Sequence, residues 1–132
     1  MYTITITPRF GEVDSLGHIN NNIPSTWFEL ARNPIIDIFD PSKELKRESF
    51  TLILVHADYD YVGQLYYKYD VEIKTHITRI GTKSFTVYQE AWQQEKLCVK
   101  GSIVLVHYNF NTEESIPIPE DKKELLHRHF VS

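Results

Sequence analysis

The chain has 132 residues, 42% of them apolar and 24% charged, including eight Tyr, seven Phe and two Trp. That composition reads as one globular domain over residues 1–132 with ample core material, and it excludes a disordered or fibrous chain. Fourteen Lys and Arg against eighteen Asp and Glu give a formal net charge of −4, which argues against a protein that grips nucleic acid through a general basic excess.

The single cysteine, Cys98, can form neither an intrachain disulfide nor a cysteine zinc site, and it reads as an inert packed thiol. The start of the chain, Met1 to Thr7, has no basic region and no long apolar stretch, so a cytoplasmic protein is expected. The longest apolar runs, 52–55 and 103–106, fall far short of the roughly 20 residues that span a bilayer, so no membrane partner is expected.

Residues 2–7 alternate apolar Tyr2, Ile4 and Ile6 with threonines, which predicts a strand. Pro8 and Gly11 break that pattern, and residues 12–22 carry the Asp, Ser, Gly and Asn of a loop. The period then changes. Ile23, Trp27, Leu30, Ala31, Ile35 and Ile38 fall at helical spacing, with Pro24 in the first turn and an Asn before it to cap. Pro34 would remove a helical hydrogen bond and crowd the Leu30 carbonyl, so a kink or an early end is predicted there. Residues 40–43 close the segment, and 43–48 read as a solvated turn of helix or a loop.

Four strands are predicted next, over 51–61, 69–79, 84–94 and 97–109. The short turns at Gly81-Thr82-Lys83 and 93–96 imply consecutive antiparallel hairpins. The last strand is apolar on both faces at its centre, so it reads as central or interfacial. Residues 119–130 read as a short helix, acidic at its start and basic at its end, as the helix dipole favours. One antiparallel sheet must then cover one apolar helix, which is an α+β arrangement.

The chemistry concentrates between the first strand and the long helix, in Arg9-Phe10-Gly11-Glu12-Val13-Asp14-Ser15-Leu16-Gly17-His18-Ile19-Asn20-Asn21-Asn22. A helix start offers unsatisfied N–H groups and a partial positive charge. A carboxylate, a histidine and amides placed there can form an oxyanion site. On the residues alone, Asp14 either serves that chemistry or caps a turn. His18 is read as positioning the loop by hydrogen bonding rather than as an acid–base group. Asn20 and Asn21 either line the site or are ordinary turn residues, and Glu29 either faces the site or pairs with Arg32 or another chain. Tyr59, Tyr61, Tyr66, Tyr67 and Tyr69 read as sheet packing or an interface rather than a ligand cage. The histidines do not cluster at ligand spacing, so no metal site is expected. Neither G-x-S-x-G nor G-x-x-x-x-G-K-[ST] occurs.

The run Glu12-Val13-Asp14-x-x-Gly17-His18-Ile19-Asn20-Asn21, followed by Glu29-Leu30-Ala31-Arg32, resembles the 4-hydroxybenzoyl-CoA thioesterase family of hotdog proteins, closest to its small bacterial acyl-CoA thioesterase branch. Residues 79–85 resemble the family's turn between two long strands. The resemblance implies a hotdog, a sheet wrapped around a long central helix, and covers nearly the whole chain. It implies a homodimer with two sites at the interface, often paired into a tetramer, and hydrolysis of an acyl-CoA or acyl carrier protein thioester without a cofactor. Asp14 stands at the family's catalytic acid position, and the backbone N–H of Asn21 at the position that polarises the thioester carbonyl. Arg79, Lys83 and Ser84 are candidates to meet the phosphates of CoA, against a reading as solvated turn residues. The chain departs from the family at Pro24, where an aromatic residue is common, and at Asn22.

A thioester leaves as a thiolate, and thiol pKa values near ~8.5 mean that it needs little help from an acid. A carboxylate and an oxyanion donor are therefore sufficient, with Asp14 acting on water or attacking directly. Two other readings stand beside hydrolysis. A hotdog hydratase or dehydratase wants an acid–base pair, and the four residues from Asp14 to His18 differ from the five-residue separation of that pattern. A non-catalytic acyl-thioester binding module has no need of Asp14.

Overall fold

A computed structural model describes residues 1–46 and 51–131 of the chain. Its strands β1 (Tyr2–Ile6), β2 (Leu52–Tyr61), β3 (Val71–Ile80), β4 (Ser84–Gln93) and β5 (Lys96–Asn109) form one antiparallel sheet in the order β1-β3-β4-β5-β2. A two-residue strand, β6 (Glu114–Ser115), adds to β5. The helices are α1 (Ile23–Ala31), α2 (Asn33–Phe39) and α3 (Glu120–His127).

The sheet wraps α1 and α2 because its strands alternate. Val71, Ile73, Thr75 and Ile77 of β3 are buried, as are Phe85, Val87, Gln89 and Ala91 of β4, while their neighbours turn outward. Trp27, Phe28 and Ala31 of α1 meet Val71, Ile73, Ala91 and Val99. Ile35 and Phe39 of α2 meet Ile77, Phe85, Val87, Ile103 and Leu126. Phe28 and Ile35 are fully buried, each contributing about 1.5–3 kcal/mol by removal from water. This is the hotdog arrangement expected from the sequence.

The long helix breaks where Pro34 predicts. It stops at Ala31 and resumes at Asn33, with Pro34 in the first turn of α2, where its missing N–H costs nothing. The break leaves the last carbonyls of α1 facing the sheet, and buried side chains take them up. Gln89 Nε2 donates to the Phe28 carbonyl at 2.9 Å and to Thr75 Oγ1 at 3.1 Å, and Tyr2 O–H donates to the Ala31 carbonyl. Arg32, buried at the junction, donates from Nη1 to Gln89 Oε1 at 3.2 Å. Desolvation pushes the Tyr2 phenol up to about 12.

Several sequence expectations need correction. Only β3–β4 and β4–β5 are consecutive hairpins; β2 lies on the far side of β5, and β1 takes the place beside β3. β5 is thus central in the sheet, with Ile103 and Leu105 buried against the helices and Val104 and Val106 half-buried on the other face. No side chain of an Asn caps α1: Asn22 occupies the cap position without a side-chain bond, and Asn20 Oδ1 instead accepts the Asn22 N–H at 2.9 Å. The tail helix is shorter than expected, and residues 43–46 are irregular, with Lys43 and Leu45 at φ 58 and 57. Residues 47–48 of that expected turn lie outside the described residues.

Gly101 on β5 sits directly against β2. A Cβ there would stand 2.7 Å from Tyr59 Cδ1 and 3.0 Å from the Asp58 carbonyl oxygen. The Tyr59 ring in turn lies 5.9 Å from Phe28. Gly101→Ala is therefore expected to displace Tyr59 and cost about 1–3 kcal/mol by overpacking. Urea unfolding of the two proteins checks this, and an unchanged midpoint would show that Tyr59 is not held there.

Candidate active site

The connection from β1 to α1 folds back on itself. Gly17 at φ 79 supplies the left-handed turn that other residues resist. Asp14 N–H donates to the His18 carbonyl at 2.8 Å. Asp14 Oδ1 accepts the N–H of Leu16 at 2.9 Å and of His18 at 3.1 Å. Both bonds use one carboxylate oxygen, and Asp14 is exposed. The carboxylate is thus fixed in direction by local backbone while its second oxygen stays open.

The segment after β2 then pairs with this loop. Ile19 N–H donates to the Leu65 carbonyl at 2.8 Å, and Tyr67 N–H donates to the Gly17 carbonyl at 3.1 Å. The His18 ring stands edge-on to Tyr66, with centroids 5.1 Å apart. Its ring packs on Tyr66 while its backbone N–H and carbonyl bond Asp14.

The loop is fastened to α1 by Glu12, the first residue of the 12–21 run and one to which the sequence alone assigns no role. Glu12 is 5% exposed. Its Oε1 accepts the Arg9 N–H at 2.7 Å, and its Oε2 accepts Trp27 Nε1 at 2.8 Å and Arg9 Nη2 at 3.2 Å. Its own carbonyl accepts the Asn20 N–H at 2.9 Å. Burial alone would raise the Glu12 pKa, but the bonds from Arg9 and Trp27 together outweigh it and hold the carboxyl below its ordinary value. The only sequence signal was the three-residue spacing of Arg9 and Glu12, because Trp27 lies fifteen residues further on.

At the helix start, the Asn20 carbonyl accepts the Ile23 N–H at 2.9 Å, and Tyr61 O–H donates to the Asn21 carbonyl at 2.9 Å. Among the described residues no acceptor meets the Asn21 N–H. Asn21 and Pro24 line a cavity of about 260 Å³ whose other walls include Ile19, Tyr61, Gly63, Leu65 and Val99. Pro24 removes one first-turn N–H from this end of the helix. Asp14 is not part of the cavity wall; it sits in the loop that leads into it.

The remaining candidates lie elsewhere. Arg79 and Ser84 meet across the β3–β4 hairpin, Nη2 to Oγ at 2.8 Å, and Lys83 is exposed in the turn between them. That turn caps the far end of β3, some ten residues and about 30 Å from the Val71 end beside the Asp14 loop. One chain does not bring Arg79, Lys83 and Ser84 to Asp14. Glu29 is exposed and forms no ion pair with Arg32, which points inward to Gln89. Cys98 is buried, and desolvation pushes its thiol up, as expected of an inert residue. Among the described residues no three His, Cys, Asp or Glu side chains gather as a metal site, and no helix is long and apolar enough to cross a membrane.

Comparison with known proteins places this arrangement in a class. The profile of the thioesterase-like superfamily matches residues 8–126, and the chain belongs to that superfamily. Among similar structures is that of a predicted thioesterase from Bacillus stearothermophilus, 40% identical, with a TM-score of 0.92 over 99% of this chain and 97% of that one. A thioesterase from Thermus thermophilus, complexed with coenzyme A and zinc, is 23% identical with a TM-score of 0.81 over 94% of this chain and 95% of that one. The uncharacterized protein YsmA of Bacillus subtilis (strain 168) is 26% identical over 123 residues, 92% of this chain and 82% of that protein.

Glu12 makes a pH prediction. A carboxyl whose folded pKa is lowered stabilises the fold above its unfolded pKa, and that contribution is lost as pH falls through the folded value. Glu12→Gln is expected to cost about 1–3 kcal/mol near neutrality, with the gap to wild type closing as pH drops below the ordinary 4.5 of a glutamate. Thermal unfolding at a series of pH values reads it; a gap that stays constant into acid would mean that the Glu12 charge is not what is held.

Proposed function

We propose that the protein hydrolyses an acyl-CoA thioester, with the Asp14 carboxylate driving attack and the N–H of Asn21 at the α1 start holding the oxyanion. The observation that carries this reading is the Asp14 carboxylate, oriented through one oxygen and open at the other, seven residues ahead of an unpaired helix-start N–H in a superfamily of thioesterases. In the general-base route, water attacks the acyl carbon and gives its proton to Asp14. The charge collects on the former carbonyl oxygen, the C–S bond breaks, and CoA leaves as thiolate. In the covalent route Asp14 attacks the same carbon, the C–S bond breaks to release the CoA thiolate and leave a mixed anhydride, and water then cleaves that anhydride to the free acid and the Asp14 carboxylate. His18 keeps Asp14 aimed, and Asn20 shapes the turn into the helix. The coenzyme A bound to the Thermus thermophilus thioesterase supports CoA as the carrier.

The reading includes a second copy of the chain. β2 is a ten-residue edge strand with Ile53, Leu54 and Val55 exposed, an arrangement that invites pairing. Antiparallel pairing of β2 with β2 of a second copy about a two-fold axis extends the sheet and reverses the partner's strands. The partner's β3–β4 turn then comes to the end of the assembly that holds Asp14, which gives Arg79, Lys83 and Ser84 a route to the carrier's phosphates. Two such dimers pairing again gives the expected tetramer.

Two measurements test this. Thiol release from short, medium, long and aromatic acyl-CoAs is expected to fall by about 10²–10⁴-fold in Asp14→Asn, with folding retained by circular dichroism; equal turnover would sink the mechanism. Leu54→Lys is expected to shift the protein toward monomer in analytical ultracentrifugation. A variant that sediments like wild type would remove β2 from the interface.

A further inference from the structure

The segment between β2 and β3 carries aromatic surface that the reaction above does not use. Tyr66, Tyr67 and Tyr69 are 43%, 45% and 37% exposed. Clustered exposed apolar surface of this kind marks a binding groove more often than chance. With Lys68 and Gly17 these tyrosines line an apolar cleft of about 510 Å³. The Lys68 ammonium stands 5.7 Å from the Tyr69 ring centroid, at the cleft's edge.

The cleft is joined to the Asp14 loop by the Tyr67 to Gly17 hydrogen bond at 3.1 Å. Gly17 and the helix-start cavity at Asn21 are four residues apart, at most about 14 Å of chain. A ligand with its reacting carbonyl at Asn21 can therefore lay its other end among the tyrosines. Aromatic faces with one cation suit a planar base beside a phosphate. They do not suit an acidic carrier protein. The chain's net charge is −4, and Asp70, Glu72 and Glu95, against Lys74, line the groove that adjoins the cleft at Lys68 and Tyr69.

We propose that the cleft formed by Tyr66, Tyr67, Lys68 and Tyr69 binds the nucleotide end of the coenzyme A thioester, stacking its base on the tyrosines and pairing a phosphate with Lys68. This rests on the acyl-CoA reading, and it assigns the carrier's base to the same chain that supplies Asp14. Arg79, Lys83 and Ser84 of that chain lie at the other end of β3, so any contact they make with the phosphates comes from a second copy.

The test compares an acyl-CoA with the same acyl ester of pantetheine, which lacks the nucleotide. Tyr67→Ala leaves the backbone bond to Gly17 in place and spares the Tyr66–His18 contact. The variant is expected to raise KM for the acyl-CoA by about fivefold to a hundredfold, with kcat and the pantetheine ester unaffected. Lys68→Ala should weaken the acyl-CoA alone and flatten its salt dependence. ADP, which has base and diphosphate but no thiol, should inhibit the wild type and not Tyr67→Ala. An equal KM change on both esters, or none on either, overturns the proposal and leaves hydrolysis standing. So does a Tyr67→Ala protein that changes its sedimentation but not its KM, which would make the cleft a contact between copies. Absence of turnover on both esters, with CoA binding that is lost in Tyr67→Ala by equilibrium dialysis, would overturn the hydrolytic reading and uphold the cleft.

Discussion

The Glu12 carboxylate is the tie on which the site's arrangement depends. A buried carboxylate is costly unless its lone pairs are filled. Here Arg9 and Trp27 fill both oxygens, and the two donors come from either side of the loop. Trp27 is in α1, one turn past the helix start, while Arg9 follows β1. The same residue's carbonyl receives Asn20. One side chain and its own backbone thus fix the entry and exit of the stretch that carries Asp14. The loop between them is then free to use its own amides on Asp14 Oδ1 rather than on holding the chain together.

A second constraint acts at the other end of α1. Breaking the helix at Arg32 costs hydrogen bonds, and the sheet returns bonds to α1 carbonyls through Tyr2 and Gln89, with Thr75 accepting the second bond of the Gln89 amide. Polar side chains at the centre of a sheet face are tolerable because each has a partner in the helix or in its neighbour. Arg32 closes the set by reaching Gln89 instead of a carboxylate. The helix is therefore registered against the sheet by directional bonds near its middle, whereas apolar packing alone would let it slide. That registration sets how far the α1 start projects toward Tyr61 and Leu65, and so the depth of the cavity between them.

Much of this was legible in the sequence. The alternation along β3 and β4, the Gly81 turn and the arrest at Pro34 follow from local rules about pleat, turn and proline. The Asp14 loop stood out as a candidate site because Asp, Gly, His and Asn crowd a helix start. The order of strands was not. β2 and β3 are consecutive, yet β2 pairs with β5, because curling the sheet around the helix sends the chain across between them. Local pattern carries no record of that crossing. The tie from Glu12 to Trp27 was equally hidden, since a charged residue among loop residues reads as solvated until its distant partner is known. Arg79, Lys83 and Ser84 show the converse: their grouping in one turn was readable, but their distance from Asp14 depends on strand length and direction.

On the acyl-CoA reading, that distance bears on how an acidic chain would hold a polyanionic carrier. Lysines near a carboxylate base favour its charged form and weaken it as a base, so a phosphate site built of cations is better kept away from Asp14. Aromatic faces carry no net charge. Stacking a base beside the Asp14 loop would add no charge there beyond Lys68 and the phosphate it pairs, and affinity from stacked surface is less sensitive to salt than affinity from ion pairs. In a two-fold assembly the more strongly cationic β3–β4 turn would approach from the second copy, at the outer end of the same ligand. On that reading the work would be divided: the loop of one chain would supply the carboxylate, the apolar platform and Lys68, and the more strongly cationic turn would come from across the interface, where it could hold the ligand without quenching the base.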